Sequence, residues 1–233
     1  NYPGASNLGL GPVELLPVTT ADTGQGSLRW AINQSNSTVQ SDTIWFNIPE
    51  SDENFDGTVW RMAPQSELPE LSGGGTVIYG ISQKDNQRDS NTEGPEIFVD
   101  GSEITGYSDG LEISSSHNAV CGLVISGFVW VGLRIEDEEA VYNKVYANYI
   151  GTTPSGNDTL KNDGAGISIL YSANRNRIGG AGPDSMNVIS GNDDNGIYIY
   201  DADSNVVIGN IIGLSASGDM ALGNGRRGIE ISN

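Results

Sequence analysis

Residues 143–169 and 205–231 align without a gap at a constant offset of 62 residues, and 12 of the 27 aligned positions are identical. The first segment reads NKVYANYIGTTPSGNDTLKNDGAGISI and the second NVVIGNIIGLSASGDMALGNGRRGIEI. The shared residues include Asn143/Asn205, Asn148/Asn210, Gly151/Gly213, Asn162/Asn224, Gly166/Gly228 and Ile167/Ile229. These are turn and core residue types rather than reactive ones. A chain that repeats itself in this way is confined to stacked architectures, because a single unit cannot bury its own apolar face.

A shorter unit lies inside the long one. Gly-apolar-x-Ile recurs at Gly110–Ile113, Gly132–Ile135, Gly166–Ile169, Gly196–Ile199 and Gly228–Ile231, with spacings of 22, 34, 30 and 32. The shortest spacing matches one turn of a three-sided β-helix, and the others imply loops of roughly 8–12 extra residues on one corner. The segments 151–165 and 213–227, rich in Gly, Ser, Asn and Asp, read as those loops. Within each unit the side chains alternate, so Leu111 and Ile113 face one way and Glu112 the other. Coils stacked ~4.8 Å apart then bury the apolar side and pair the backbone above and below. Asn148, Asn192 and Asn210 are expected at the corners, in the left-handed conformation, with their amides bonding along the stack. The predicted fold is all-β, a single-stranded right-handed parallel β-helix with a short N-terminal capping helix.

Composition agrees and narrows the function classes. Thirty-two glycines among 233 residues, with abundant Asn and Ser, disfavour helices and suit short strands joined by turns. The net charge of −19, from 30 acidic against 11 basic residues, argues against nucleic acid as a partner and against anionic membrane surfaces. No stretch approaches the ~20 apolar residues of a membrane-spanning helix, so no membrane insertion is expected. Cys121 is the only cysteine, so no intrachain disulfide forms; it reads as a small buried hydrophobe. The only histidine is His117.

The N-terminal part departs from the repeat. Leu28, Ala31 and Ile32 have helical spacing behind Ser27, a good N-cap, and Asp42–Pro49 reads as a strand. A short helix around Ser27–Asn33 would cover the open end of the core. The expected organisation is an N-terminal extension over 1–16 and a β-helix domain over 17–233. That domain divides into a capping segment at 17–41 and coils at 42–233. No secretory leader begins at Asn1, which suits a processed or internal start. The chain stops at Ile231-Ser232-Asn233, directly after a repeat strand, so the C-terminal end is expected to be truncated and further domains to follow Asn233.

The segment Val18–Ile32, containing Gly26-Ser27-Leu28-Arg29-Trp30-Ala31-Ile32, followed by Asp42-Thr43-Ile44-Trp45-Phe46, resembles the opening of large bacterial secreted and cell-surface proteins. These carry a GSLRxAI segment before right-handed parallel β-helix repeats of the pectin-lyase-like superfamily. Leu68–Leu71, Thr76–Gly80, Pro95–Ser102, Asn187–Asn192 and Asn210–Gly213 match later stretches, so the resemblance covers about residues 17–233. It implies the right hand of the helix and an extracellular or cell-surface location. It is unspecific for activity, because such solenoids carry lyases, hydrolases, tail spikes and adhesins. The polygalacturonase-like branch uses Asn-x-Asp, paired Asp, Gly-His-Gly and Arg-x-Lys motifs. Here Asp193-Asp194 is present, but His117 sits in Ser-Ser-His-Asn and Arg-x-Lys is absent, so no catalytic residue is assigned.

The outward positions of the repeated strand form two rows. One is Glu112, Arg134, Ser168, Tyr198, Glu230; the other is Ser114, Glu136, Leu170, Tyr200, Ser232. In one reading this face binds a polysaccharide or cell-surface glycan, with Tyr198 and Tyr200 stacking on a sugar ring and Arg134 and Glu136 making polar contacts. In the other, Glu112 and Arg134 are a cross-strand ion pair and the tyrosines are strand formers. Hydrolysis needs two carboxylates roughly 5–9.5 Å apart, and Glu112 with Glu136 on the next coil meets that requirement in principle. Asp201, Asp203 and Asn205 have the spacing of some calcium loops, although Val206 stands where an EF-hand has Gly; the alternative is a solvated turn. The run Glu136–Glu139 reads as an exposed corner. The expected function is a non-catalytic extracellular module of a larger surface protein, adhesive or carbohydrate-binding. The alternatives are a polysaccharide lyase or glycoside hydrolase working on the outer strand face, and a purely structural spacer.

Overall fold

The computed structural model describes residues 14–38 and 40–233. Of the extension expected over 1–16, residues 1–13 lie outside the described residues. The described chain is mostly β, with short strands and two helices, α1 (Leu28–Asn36) and α2 (Ser82–Asn86). The strands form three sheets of seven, six and five members, and every pairing between strands is parallel.

From Ala119 onward the chain visits the three sheets in strict rotation. It passes through Ala119–Cys121 in the first, Leu123–Ser126 in the second and Leu133–Glu136 in the third, then returns to the first at Lys144–Tyr146. The rotation continues through Tyr149–Ile150, Ile167–Leu170, Arg177–Ile178, Val188–Ile189, Ile197–Tyr200, Val206–Val207 and Ile211–Ile212, and ends at Ile229–Ser232. Each sheet therefore stacks in chain order, which makes the arrangement solenoid-like. The N-terminal part follows the same order less regularly, with Leu71 bridging Ile113 as an incipient rung of the third sheet.

Alternation along the strands builds one interior. Ile78, Val120, Val145 and Ile178 of the first sheet join Ile97, Leu123, Ile125, Ile150 and Ile189 of the second and Ile113, Ile135, Ile169 and Ile199 of the third in one buried cluster. Leu28, Ala31 and Ile32 of α1 belong to the same cluster, beside the first strands of the first sheet. Ser27 caps α1 as expected, accepting from the Trp30 N–H, and the helix runs three residues past the expected end. A second, smaller apolar cluster lies outside the second sheet, where Phe98 and Val124 pack with Val59, Tyr149 and Leu160.

Columns of glycine and of asparagine run along the stack and explain the repeat signature. Each strand of the third sheet from Leu111 on is preceded by Gly110, Gly132, Gly166, Gly196 or Gly228. A Cβ on Gly110 would lie 2.3 Å from the Gly132 carbonyl oxygen, and one on Gly196 would lie 2.6 Å from that of Gly228. Gly110, Gly132, Gly166 and Gly196 are required by the approach of the next coil's backbone, not by an unusual φ, whereas a Cβ on Gly228 would meet only Ile212 Cγ2, at 3.5 Å.

The asparagines form hydrogen-bonded ladders. Asn118, Asn143, Asn176 and Asn205 precede strands of the first sheet, and each Oδ1 accepts the N–H of the equivalent residue one coil earlier, at 2.9, 2.7, 2.8 and 2.8 Å. Asn148, Asn187 and Asn210 do the same before the second sheet, and Asn162, Asn192 and Asn224 form a third column. Asn148, Asn192 and Asn210 thus hold the stacking role expected of them, but not the expected backbone. The positive φ falls one residue earlier, at Ala147, Gly191 and Gly209. The chain turns there, and the asparagine that follows aims its amide along the stack.

The loops at 151–165 and 213–227 are closed by the antiparallel bridges Thr152↔Thr159 and Leu214↔Ala221. They lie one above the other, joined by Ala216 N–H to the Gly156 carbonyl at 2.9 Å. No described helix is long and apolar enough to cross a membrane.

Candidate functional site

The outward side of the third sheet carries both rows read from the sequence, in the expected register. Arg134 lies between Glu112 and Ser168, Tyr198 between Ser168 and Glu230, Leu170 between Glu136 and Tyr200, and Tyr200 beside Ser232. The Leu71–Ile113 bridge adds Glu70 to the first row, opposite Glu112.

The rows bring charges together at their N-terminal end. Arg134 reaches Asp109 with Nε–Oδ2 of 2.8 Å and Glu136 with Nη1–Oε2 of 3.1 Å. The Asp109 contact is an ion pair without hydrogen-bond alignment, since Nε has no aligned acceptor. Asp109 is buried and also accepts the Val131 N–H at 2.9 Å. Burial raises its carboxyl above the ordinary range, against the pull of that N–H and of Arg134. The cross-strand ion pair between Glu112 and Arg134, one of the two sequence readings, does not form, because the guanidinium turns to Asp109 and Glu136.

Glu112 is left as the least compensated carboxyl of the group. Burial pushes it up to about 7; Arg134 opposes this, and the charges of Glu136, Glu70 and Asp109 add to it. Carboxylate oxygens of Glu67, Asp109 and Glu112 all lie within 4.8 Å of one another, the one such convergence of three acidic groups among the described residues. Asp109 and Glu67 join Glu112 in this cluster, and the charge of Glu136, held by Arg134, also acts on Glu112.

The other end of the face is aromatic. Tyr198 and Tyr200 stack with ring centroids 6.2 Å apart and planes 24° apart, and Tyr171 meets Tyr200 edge-on at 5.8 Å. Ser232 Oγ donates to Tyr198 Oη at 3.3 Å. Tyr171 is exposed and turns the corner at φ 50°, its N–H bonded to the Tyr200 carbonyl. The strand Ile167–Leu170 separates the tyrosines from Arg134 and Glu136, a gap of about 10 Å at ordinary strand spacing. A ligand touching both groups must therefore be extended and lie across the strands. Between them, Ser168 is buried and Leu170 is the apolar bridge.

Asp201, Asp203 and Asn205 fall in the turn from the third sheet to the first. Asp201 and Asp203 are exposed. The Asp203 N–H donates to Asn174 Oδ1, and its carbonyl accepts from Arg175. Asn205 is a rung of the first asparagine ladder, with Oδ1 accepting from Asn176 N–H and Nδ2 donating to the Ala173 carbonyl at 3.0 Å. The structure brings no third carboxylate to Asp201 and Asp203 among the described residues. In the run Glu136–Glu139, Asp137, Glu138 and Glu139 are exposed, as a corner would be. Cys121 is fully buried, and burial pushes its thiol up to about 11, so it is inert.

Glu67, Glu70, Asp109 and Tyr171 were missed from the sequence. Asp109 stands immediately before Gly110 of a recognised unit, and Tyr171 immediately after the strand Ile167–Leu170. Extending the repeat by one residue on either side would have found both. No family model and no curated protein matches the sequence.

Proposed function

We propose that this chain is a carbohydrate-binding module of a secreted or cell-surface protein. In this reading its three sheets are the faces of one right-handed parallel β-helix of the pectin-lyase-like kind. The hand rests on the sequence resemblance and on the general right-handedness of parallel crossovers. The observation that carries the function is the third sheet's outer face, with a tyrosine platform at one end and the Arg134–Glu136 pair at the other, in register across one strand. Aromatic rings offer flat apolar area at little entropic cost, and the ion pair supplies donors and acceptors for hydroxyl or carboxylate groups. An extended glycan lying across the strands is the ligand such a face fits.

A glycan array followed by titration calorimetry, with and without calcium, tests this. Wild type should bind, and Tyr200→Ala should bind about ten-fold more weakly, the ~1.4 kcal/mol expected of one stacking contact. Absence of binding to any glycan, or unchanged affinity in both Tyr200→Ala and Arg134→Ala, would sink the reading.

A second reading rests on Glu112, a carboxyl pushed up to about 7 beside Asp109 and Glu67. A carboxyl that holds its proton toward neutral pH beside further carboxyls is a starting point for splitting a glycosidic bond, with Glu112 as proton donor. Release of reducing ends by wild type and its loss in Glu112→Gln would establish hydrolysis in place of binding alone.

A further inference from the structure

We propose that the groove between α2 and the outer side of the second sheet binds an alkylammonium group, with Glu96 as its buried counter-charge. Glu96 immediately precedes the strand Ile97–Asp100. Alternation sends Ile97 and Val99 to the interior and Glu96 to the outside together with Phe98, whose side chain packs in the outer apolar cluster. The outside is not open there. Glu96 is 2% exposed, and its Oε1 has no hydrogen-bond partner although it lines a groove of about 570 Å³. A buried carboxyl oxygen without a donor is costly and rare in folded proteins, so the presence of Oε1 in that state at the wall of a groove points to a missing donor.

The rest of the groove says what that donor is. Asp85 of α2, Asp89 and Glu93 of the following loop and Asp184 of the turn Pro183–Ser185 add four carboxylates to the lining, against one cation, Lys84. Such a wall attracts cations. Tyr79 of the first sheet, Ile81, Pro95, Tyr149 of the second sheet and Met186 supply apolar surface suited to a methylene chain. These carboxylates do not converge within the reach of one metal ion, as Glu67, Asp109 and Glu112 do elsewhere. An ammonium on a short alkyl stem satisfies both features, whether it comes from a free diamine or from a lysine side chain of a basic peptide.

Burial pushes Glu96 up to about 7; its own N–H and Lys84 act the other way, and Asp89 and Asp85 reinforce the rise. Its charge therefore changes in the neutral range while an alkyl ammonium, pKa about 10.4, stays charged. The test is calorimetry on the whole chain at pH 6, 7 and 8 with 1,5-diaminopentane, with N-acetyl-lysine methylamide and with 1-pentanol. Both amines should bind up to about ten-fold more tightly at pH 8 than at pH 6, with proton release visible as a buffer-dependent heat, and the alcohol should not bind. Binding of the diamine alone assigns the site to free amines, and binding of the lysine amide as well assigns it to side chains. Glu96→Gln should lose at least ten-fold in affinity together with the pH dependence, whereas Asp184→Asn at the rim should lose only a few-fold and keep it. Should Glu96→Gln not fold, the Glu96 carboxyl carbon in wild type is followed by NMR, and saturating amine should move its titration to lower pH. No amine binding at millimolar concentration and pH 8, equal binding of the alcohol, or an amine affinity indifferent to Glu96→Gln would each overturn the proposal.

Discussion

Replacing Glu112 by Gln should stabilise the protein, and only above a definable pH. The side chain sits among Glu70, Asp109 and Glu136 with Arg134 turned away to other partners, and burial pushes its carboxyl from 4.5 up to about 7. The folded chain thus holds a proton that the unfolded chain gives up. Below about 4.5 both states are protonated and the group is neutral in its effect on stability. As the pH rises from 4.5 to 7 the wild type loses stability, and above 7 the loss is complete. For a carboxyl fully removed from water that rise corresponds to roughly 3 kcal/mol, and the partial exposure of Glu112 brings it down to about 1.5 kcal/mol. Gln keeps the shape and has no charge to withdraw. Urea unfolding of both proteins from pH 4 to 9 should give equal stabilities at the acid end, divergence through pH 5–7, and a plateau about 1.5 kcal/mol in favour of Glu112→Gln. Equal stabilities at pH 8, or a difference already present at pH 4, would refute the claim that a poorly compensated charge is held at this position.

Two further perturbations address the columns that hold the coils together. Asn148 accepts from Leu123 N–H and donates to the Val120 carbonyl and to Asn187 Oδ1, all in the interior of the stack. At about 1 kcal/mol for each hydrogen bond lost, Asn148→Ala should cost about 3 kcal/mol in urea unfolding; a loss under 0.5 kcal/mol would show that the ladder contributes nothing. A Cβ on Gly166 would stand 2.6 Å from Ile189 Cγ2 and 2.8 Å from the Gly196 carbonyl oxygen, so Gly166→Ala should cost about 2–3 kcal/mol. Gly182→Ala, which meets nothing within 4 Å, should leave the unfolding midpoint unchanged or slightly raised.

Much of the architecture is legible because it is periodic. Gly-apolar-x-Ile names the strands of the third sheet and, through alternation, which of their residues face outward; Glu112, Arg134, Ser168, Tyr198 and Glu230 stand in the register that the spacing predicts. The offset of 62 spans two coils, which is why Asn148 and Asn210 fall in one column with Asn187 between them. The positive φ of Ala147 was not legible, because alanine gives no local sign that it must turn left-handed. The sign was its neighbour, the asparagine that the turn delivers into the ladder.

The sequence by itself determined the repeat, the rows of side chains and the helix that Ser27 caps, since each depends on neighbours in the chain or on a fixed period. Only the tertiary structure decided which charges meet. Glu67 comes from the segment before the Leu71 rung and converges on Asp109 and Glu112 of the next coil, across a corner whose length no period specifies. Arg134 chose Asp109 over its register partner Glu112 because a long flexible guanidinium follows local geometry rather than strand pairing. Glu96 is outward by alternation, yet the surrounding loops bury it. Side-chain direction is a property of the strand, whereas burial and partnership belong to whatever the irregular segments bring alongside.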